Sequence, residues 1–98
     1  MIFLEIDYID NNMTIIDIRD YSSFYNSHLD NSINISLHNI VVNHSKFLDK
    51  NKEYLIICEY GIQSKIIVKM LNNLGYHVYS LKDGYNSLIR EGKVKKLT

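Results

Sequence analysis

The sequence predicts an α/β fold of three layers, α/β/α, in which a parallel sheet of four or five strands is flanked by helices. Short apolar runs rich in β-branched residues alternate along the chain with amphipathic stretches of helical period. Such alternation is typical of a parallel sheet, because each helix returns the chain to the same end of the sheet. The most apolar run, residues 54–58, is continuous, as in a strand buried on both faces. With 98 residues the chain has the length of one domain, predicted over residues 1–98.

The first half of the chain contains three predicted strands and two predicted helices. The strands are predicted over residues 2–4, 14–18 and 32–35. Asp20 can cap a short helix over residues 21–26, because its carboxylate accepts hydrogen bonds from free amides of the first turn. Apolar residues at helical spacing predict a second helix over residues 37–49, broken near His44.

The second half repeats the alternation. Strands are predicted over residues 54–58 and 77–80, and helices over residues 64–74 and 85–91. Gly75 and Gly92 follow the two helices, where glycine commonly ends a helix. Asp83 and Gly84 form a turn between the last strand and the last helix.

Composition argues against several classes of protein. Eleven basic and eleven acidic residues give a formal net charge of zero, so we expect neither nucleic-acid nor membrane-surface binding. No apolar run approaches the ~20 residues that span a bilayer, and the N-terminus lacks the basic segment of a signal peptide. The single cysteine cannot form an internal disulfide, so we expect a cytoplasmic protein with a free thiol. We also expect a monomer or weak dimer.

The residue types that suggest chemistry lie at the carboxyl end of the most buried strand. Cys58 stands there, and ligands of open α/β sheets bind beyond the carboxyl ends of strands. The short loop after it leads into a helix N-terminus, whose free amides and positive dipole favour a thiolate. Gly61 allows the loop to bend into a cradle. These features leave two interpretations open, a nucleophile or an inert buried cysteine.

This loop resembles the active-site loop of rhodanese-like domains. That loop has a cysteine, four variable residues that usually include a central glycine, then often an arginine, and then a serine or threonine that opens the helix. Cys58, Gly61 and Ser64 match these positions.

Three further stretches resemble motifs of the same family, in the same order along the chain. Residues 15–20 resemble a strand that ends in Asp-x-Arg, with Asp17 and Arg19 at the matching positions. Residues 28–35, which begin with His28, resemble its Gly-His-Ile-x-Gly-Ala-x-Asn motif. Residues 81–85 resemble its Leu-x-Gly-Gly-aromatic turn.

The resemblance implies sulfur transfer. The Cys58 thiolate attacks the sulfane sulfur of thiosulfate or of another persulfide, and its own persulfide then passes the outer sulfur to a thiol or a cyanide-like nucleophile. The persulfide is held by the loop residues Glu59, Tyr60, Gly61, Ile62, Gln63 and Ser64. Asp17, Arg19 and His28 support the site structurally. No metal or organic cofactor is needed, and the other histidines have no partners at metal-ligand spacing.

Two departures from the family pattern affect function more than fold. Glu59 stands where Arg or Lys is usual in the family, and Gln63 stands where Arg is usual. We therefore expect weak activity with thiosulfate, with Lys65 compensating in part. Tyr60 and Ile62 are expected to face solvent, where they contact a partner or shape donor access. The alternative function is a non-catalytic interaction module. A related phosphatase is disfavoured, because its loop ends in an arginine at the position of Ser64.

Overall fold

The computed structural model describes residues 4–93 and contains one sheet of five parallel strands, in the order β1-β5-β4-β2-β3. The strands are β1 Glu5–Ile6, β2 Thr14–Asp17, β3 Ile33–Asn34, β4 Glu53–Ile57 and β5 His77–Leu81. The helices are α1 Tyr21–Asn26, α2 Leu37–Val42, α3 His44–Phe47, α4 Ile62–Asn73 and α5 Gly84–Arg90. The predicted α/β fold with a five-stranded parallel sheet is confirmed.

Strand β4 is the middle strand of the sheet, and both of its faces are covered. Leu55, Ile56 and Ile57 are fully buried, which explains their unbroken apolar run. Residue 56 faces a core shared with helices α2 and α4, whereas residues 55 and 57 face a second core shared with α5. Each of these side chains contributes roughly 1.5–3 kcal/mol by leaving water.

Local signals account for several element boundaries. Asp20 caps α1 as predicted, accepting a hydrogen bond from the Ser23 amide. Its hydrogen bonds from the Ser22 and Ser23 hydroxyls, with that from the Ser23 amide, lower the pKa of its carboxyl. The helix predicted over residues 37–49 is broken as expected, at Asn43, whose φ of −118° ends α2.

One predicted boundary is wrong. Helix α4 begins at Ile62 rather than at residue 64, because Gly61 adopts a left-handed φ of 83° and turns the chain directly into the helix. The edge strand of the structure is Glu5–Ile6. Of the strand predicted over residues 2–4, residues 2 and 3 lie outside the described part of the chain, and the Leu4 carbonyl accepts the Ser80 amide at 2.7 Å.

The arrangement places three chain segments at one end of the sheet. The carboxyl ends of β2, β4 and β5 lie at the same edge, since the strands are parallel and in register. The N-termini of α4 and α5 follow β4 and β5 at that edge. Between residues 4 and 93, no helix is long and apolar enough to cross a bilayer.

Candidate active site

The Cys58 sulfur lies in a cradle formed by the loop that follows β4. The side chain is 2% exposed. Sγ accepts hydrogen bonds from the amides of Gly61 at 3.1 Å and Ser64 at 3.3 Å. Ser64 Oγ lies 3.2 Å from Sγ, where it can accept a hydrogen bond from the neutral thiol. The two amides belong to the cap and first turn of α4, where no carbonyl of the helix accepts them, so they favour negative charge on sulfur.

The N-terminus of α5 holds the backbone of this loop. The Tyr85 amide donates to the Cys58 carbonyl at 2.8 Å, and the Asn86 amide donates to the Glu59 carbonyl at 3.0 Å. These two bonds turn the loop carbonyls toward α5 and away from the sulfur. Gly84 permits the close approach, since a Cβ there would lie 2.4 Å from the Cys58 carbonyl oxygen.

Asp17 and Arg19 form a buried ion pair beside the loop. Arg19 Nε and one terminal nitrogen donate to both Asp17 oxygens, at 3.0 and 2.8 Å. The guanidinium lies 3.7 Å from the centre of the Tyr85 ring and also donates to the Ser27 carbonyl at 2.6 Å. Burial alone would lower the pKa of Arg19, but the hydrogen bond and charge of Asp17, with the charge of Glu59, raise it.

Glu59 gives the mouth of the cradle an acidic character. The pocket at Cys58 has a volume of about 320 Å³ and is lined by Cys58, Glu59, Tyr60, Ile62 and Gln63. Glu59 is the charged residue in that lining. The other terminal nitrogen of Arg19 lies 3.9 Å from the Glu59 carboxylate, which is 45% exposed, so the pairing is loose.

The structure brings the predicted loop residues together, and it gives His28 and Lys65 partners outside this loop. His28 is exposed, with Nδ1 2.7 Å from the Phe24 carbonyl and its ring stacked on the Phe24 ring. Lys65 does not line the pocket, because its ammonium lies 3.8 Å from the Glu5 carboxylate. The expectation that Lys65 compensates in part for the absent arginine gains no support from this position.

The sequence analysis missed two residues of the site. Ser80, on β5, is fully buried, and its Oγ lies 2.6 Å from Ser64 Oγ. Tyr85 supplies both the amide that holds the Cys58 carbonyl and the ring under Arg19. The available signal was a small polar residue within the apolar run of β5, since buried hydroxyls are found with partners. Across residues 4–93, no cluster of His, Cys, Asp and Glu side chains has the arrangement of a metal site.

Comparison with known proteins identifies the family of this chain. A family model described as the Rhodanese-like domain matches residues 6–91. The thiosulfate sulfurtransferase GlpE of Shewanella oneidensis is 32% identical over 77 residues, which cover 74% of this chain and 72% of that protein. The tRNA sulfurtransferase of Thermoplasma acidophilum is 35% identical over 65 residues, which cover 66% of this chain but 13% of that longer protein.

A solved structure extends the likeness to three dimensions. The rhodanese-related protein from Thermoplasma volcanium superimposes with a TM-score of 0.76 at 31% identity, covering 83% of this chain and 80% of that one. The family model and the GlpE relative both include the strand, loop and helix that hold Cys58. The chain therefore belongs to the rhodanese-like domain family.

Proposed function

We propose that this domain is a sulfurtransferase or sulfane-sulfur carrier that forms a persulfide on Cys58. The observation that carries the proposal is the cradle, in which the amides of Gly61 and Ser64 both point at Sγ. Amides in this arrangement stabilise a thiolate before the reaction and a persulfide anion after it. The names of the relatives, thiosulfate sulfurtransferase and tRNA sulfurtransferase, support sulfur transfer as the reaction class.

The proposed reaction has two displacement steps. The Cys58 thiolate attacks the outer sulfur of a donor, a sulfur–sulfur bond forms, and the donor's own sulfur–sulfur bond breaks with release of sulfite or a thiolate. An acceptor thiolate or cyanide then attacks the outer sulfur of the Cys58 persulfide. That step regenerates the Cys58 thiolate and gives a new persulfide or thiocyanate. Neither step requires a metal or an organic cofactor.

We further propose that thiosulfate is a poor donor and that a protein or small-molecule persulfide is the better one. The pocket lining at Cys58 includes the Glu59 carboxylate, and Gln63 offers an amide where family members usually have a guanidinium. At the distances within this pocket, repulsion between the carboxylate and an anionic donor is on the order of 1–4 kcal/mol. Arg19 offsets only part of this repulsion. Its nearest nitrogen lies 3.9 Å from the Glu59 carboxylate, and its guanidinium also pairs with Asp17.

A protein donor or acceptor is favoured by the apolar side chains around the pocket. Tyr60, Ile62 and Ile66 are each more than three-fifths exposed, at the loop and on the first turns of α4. We propose that the domain works in the cytoplasm, where its thiol stays reduced, and that it acts as a monomer or weak dimer. We do not expect it to bind nucleic acid or membranes.

A non-catalytic interaction module is the second candidate function. The low exposure of Cys58 and the acidic mouth of its pocket favour it, since both slow the entry of an anionic donor. In that case the fold and the exposed loop residues remain, but Cys58 carries no sulfur.

Steady-state sulfur transfer separates these proposals. Thiocyanate formation from thiosulfate and cyanide, and transfer from a small-molecule persulfide to a thiol, are measured for the wild type and for Cys58→Ser. We expect both reactions to require Cys58 and the persulfide to be the better donor. Glu59→Gln should raise kcat/KM with thiosulfate about ten-fold, whereas Glu53→Gln, a matched charge change at the other end of β4, should not. Transfer that is equally fast in Cys58→Ser contradicts the proposed function, and no effect of Glu59→Gln contradicts the proposed donor.

A further inference from the structure

Two buried hydroxyl groups extend the hydrogen bonding of the Cys58 sulfur into the core. Ser64 and Ser80 are both fully buried. Ser64 Oγ lies 3.2 Å from Cys58 Sγ and 2.6 Å from Ser80 Oγ. Within residues 4–93, Ser64 is the one hydrogen-bond partner of the Ser80 hydroxyl. The three side chains therefore form a short chain that begins at the sulfur and ends at Ser80.

The hydrogen bonds of this chain can run in two directions, and only one direction gives every hydroxyl proton an acceptor. If the thiol donates to Ser64, then Ser64 donates to Ser80, and the buried Ser80 proton has no acceptor among residues 4–93. If Ser80 donates to Ser64, then Ser64 donates to the sulfur, and every hydroxyl proton has an acceptor. A buried donor without a partner is unfavourable. Because the Ser80 hydroxyl has Ser64 as its one partner within residues 4–93, the second direction is favoured.

The second direction favours a sulfur that carries no proton, because a thiol that accepts from Ser64 can no longer donate to it, and an anionic sulfur is the stronger acceptor. In it the sulfur accepts three hydrogen bonds, from the Gly61 amide, the Ser64 amide and the Ser64 hydroxyl. A hydrogen bond from Ser80 to Ser64 also polarises the Ser64 hydroxyl and strengthens its donation to an anion. The neutral thiol gains nothing comparable from Ser80.

The register of the sheet places Ser80 at the end of this hydrogen-bonded chain. Ser80 pairs in register with Ile56, which lies two residues before Cys58 on β4. Side chains two residues apart face the same side of a sheet, so Cys58 and Ser80 belong to the same layer, beneath α4. Ser64 is on the first turn of α4 and reaches both of them.

We propose that Ser80 is a positioning residue that turns the Ser64 hydroxyl toward Cys58 and so favours the anionic sulfur. For the thiolate the inference stands on the hydrogen bonds alone. For the persulfide it rests on the proposed function. Ser80 does not touch the reacting atoms, and it acts on them through Ser64.

The thiolate titration of Cys58, followed by ultraviolet absorbance and by the rate of alkylation with iodoacetamide, tests the inference. In Ser80→Ala we expect the midpoint to move to higher pH. The thiolate fraction on the acidic side of the titration should fall about five-fold, the ratio that corresponds to one hydrogen bond of about 1 kcal/mol. Ser80→Thr, which keeps the hydroxyl, should restore the wild-type curve. Ser32→Ala is the control, because its hydroxyl donates to the Leu29 carbonyl at the sheet edge beyond β2.

A double-mutant cycle distinguishes positioning from a general structural role. If Ser80 acts through Ser64, then Ser64→Ala and the double variant with Ser80→Ala should titrate alike. An equal shift from Ser80→Ala in both backgrounds overturns the inference, as does a Ser80→Ala titration identical to that of the wild type. Far-ultraviolet circular dichroism confirms that each variant is folded.

The inference and the proposed function fail separately. A wild-type protein that takes up no sulfur, together with a Ser80→Ala titration that shifts as expected, rejects the sulfur-carrier function and keeps the role of Ser80. Sulfur uptake by the wild type, together with an unshifted titration of Ser80→Ala, supports the sulfur-carrier function and rejects the role of Ser80.

Discussion

Replacement of Gly84 by alanine tests how α5 supports the active-site loop. Gly84 has a φ of 63°, and a Cβ built there lies 2.4 Å from the Cys58 carbonyl oxygen, 2.6 Å from the Gly61 nitrogen and 2.7 Å from the Glu59 carbonyl oxygen. Ordinary van der Waals contact begins at 3.4 Å, so the loop and α5 must separate by a large part of an ångström. All three atoms are backbone, so no side-chain rotation relieves the overlap.

The expected loss of stability has two parts. The left-handed conformation costs a non-glycine residue about 1–2 kcal/mol. Displacement of packed backbone adds about 1–3 kcal/mol, which gives a total of about 2–5 kcal/mol. A domain of this size has an unfolding free energy of about 5–15 kcal/mol, so Gly84→Ala should fold with clearly reduced stability.

Gly92 provides a matched control at the other end of α5. It has a φ of 71°, but none of the atoms of residues 4–93 that could obstruct it lies within 4 Å of a Cβ built there. Among these residues, Gly92→Ala therefore meets the conformational cost alone, about 1–2 kcal/mol. The difference between the two variants isolates the overlap with the loop.

Urea unfolding followed by tyrosine fluorescence measures the stability, since the chain has eight tyrosines and no tryptophan. Sulfur transfer under native conditions measures the geometry of the cradle. Displacement of the Gly61 amide from Sγ should lower the rate of Gly84→Ala about 100-fold relative to Gly92→Ala. Equal stabilities of the two variants, or equal transfer rates, would refute the argument that α5 holds the loop.

Two further predictions concern charged residues around the site. Arg19→Lys loses the two-point contact with Asp17 and should lower the unfolding free energy by about 3 kcal/mol in urea. Arg90→Lys, at an exposed ion pair, should cost less than ~0.5 kcal/mol, and equal losses would contradict the buried role. Hydrogen bonds lower the pKa of Asp20, so its stabilisation relative to Asp20→Asn should be present above its ordinary value of 3.8 and disappear as pH falls below it. A difference between these proteins that does not change with pH would contradict that assignment.

Local signals in the sequence predict most of the fold. The β-branched run that forms β2 and the apolar run that forms β4 are recognisable because burial on both faces requires continuous hydrophobicity. Asp20 is recognisable as a cap because its role depends on the next three residues alone. The start of α4 was misplaced because the left-handed turn at Gly61 depends on its packing against residues 83 and 84, which are distant in sequence.

The chemistry of the site depends on neighbours that the sequence does not place. The loop could be predicted from Cys58, Gly61 and Ser64, because these residues are close in the chain. The partnership of Ser64 with Ser80 depends on the register between β4 and β5, which no local pattern specifies. The pairing of Lys65 with Glu5 depends on where β1 joins the sheet.

Intact mass spectrometry after incubation with a small-molecule persulfide, and separately with thiosulfate, tests the central claim most directly. We expect the wild type to gain one sulfur atom, to lose it on reduction, and to load better from the persulfide. Cys58→Ser should gain none. A wild-type protein that gains no sulfur from either donor would contradict the sulfur-carrier function and favour the interaction module, with the fold unchanged.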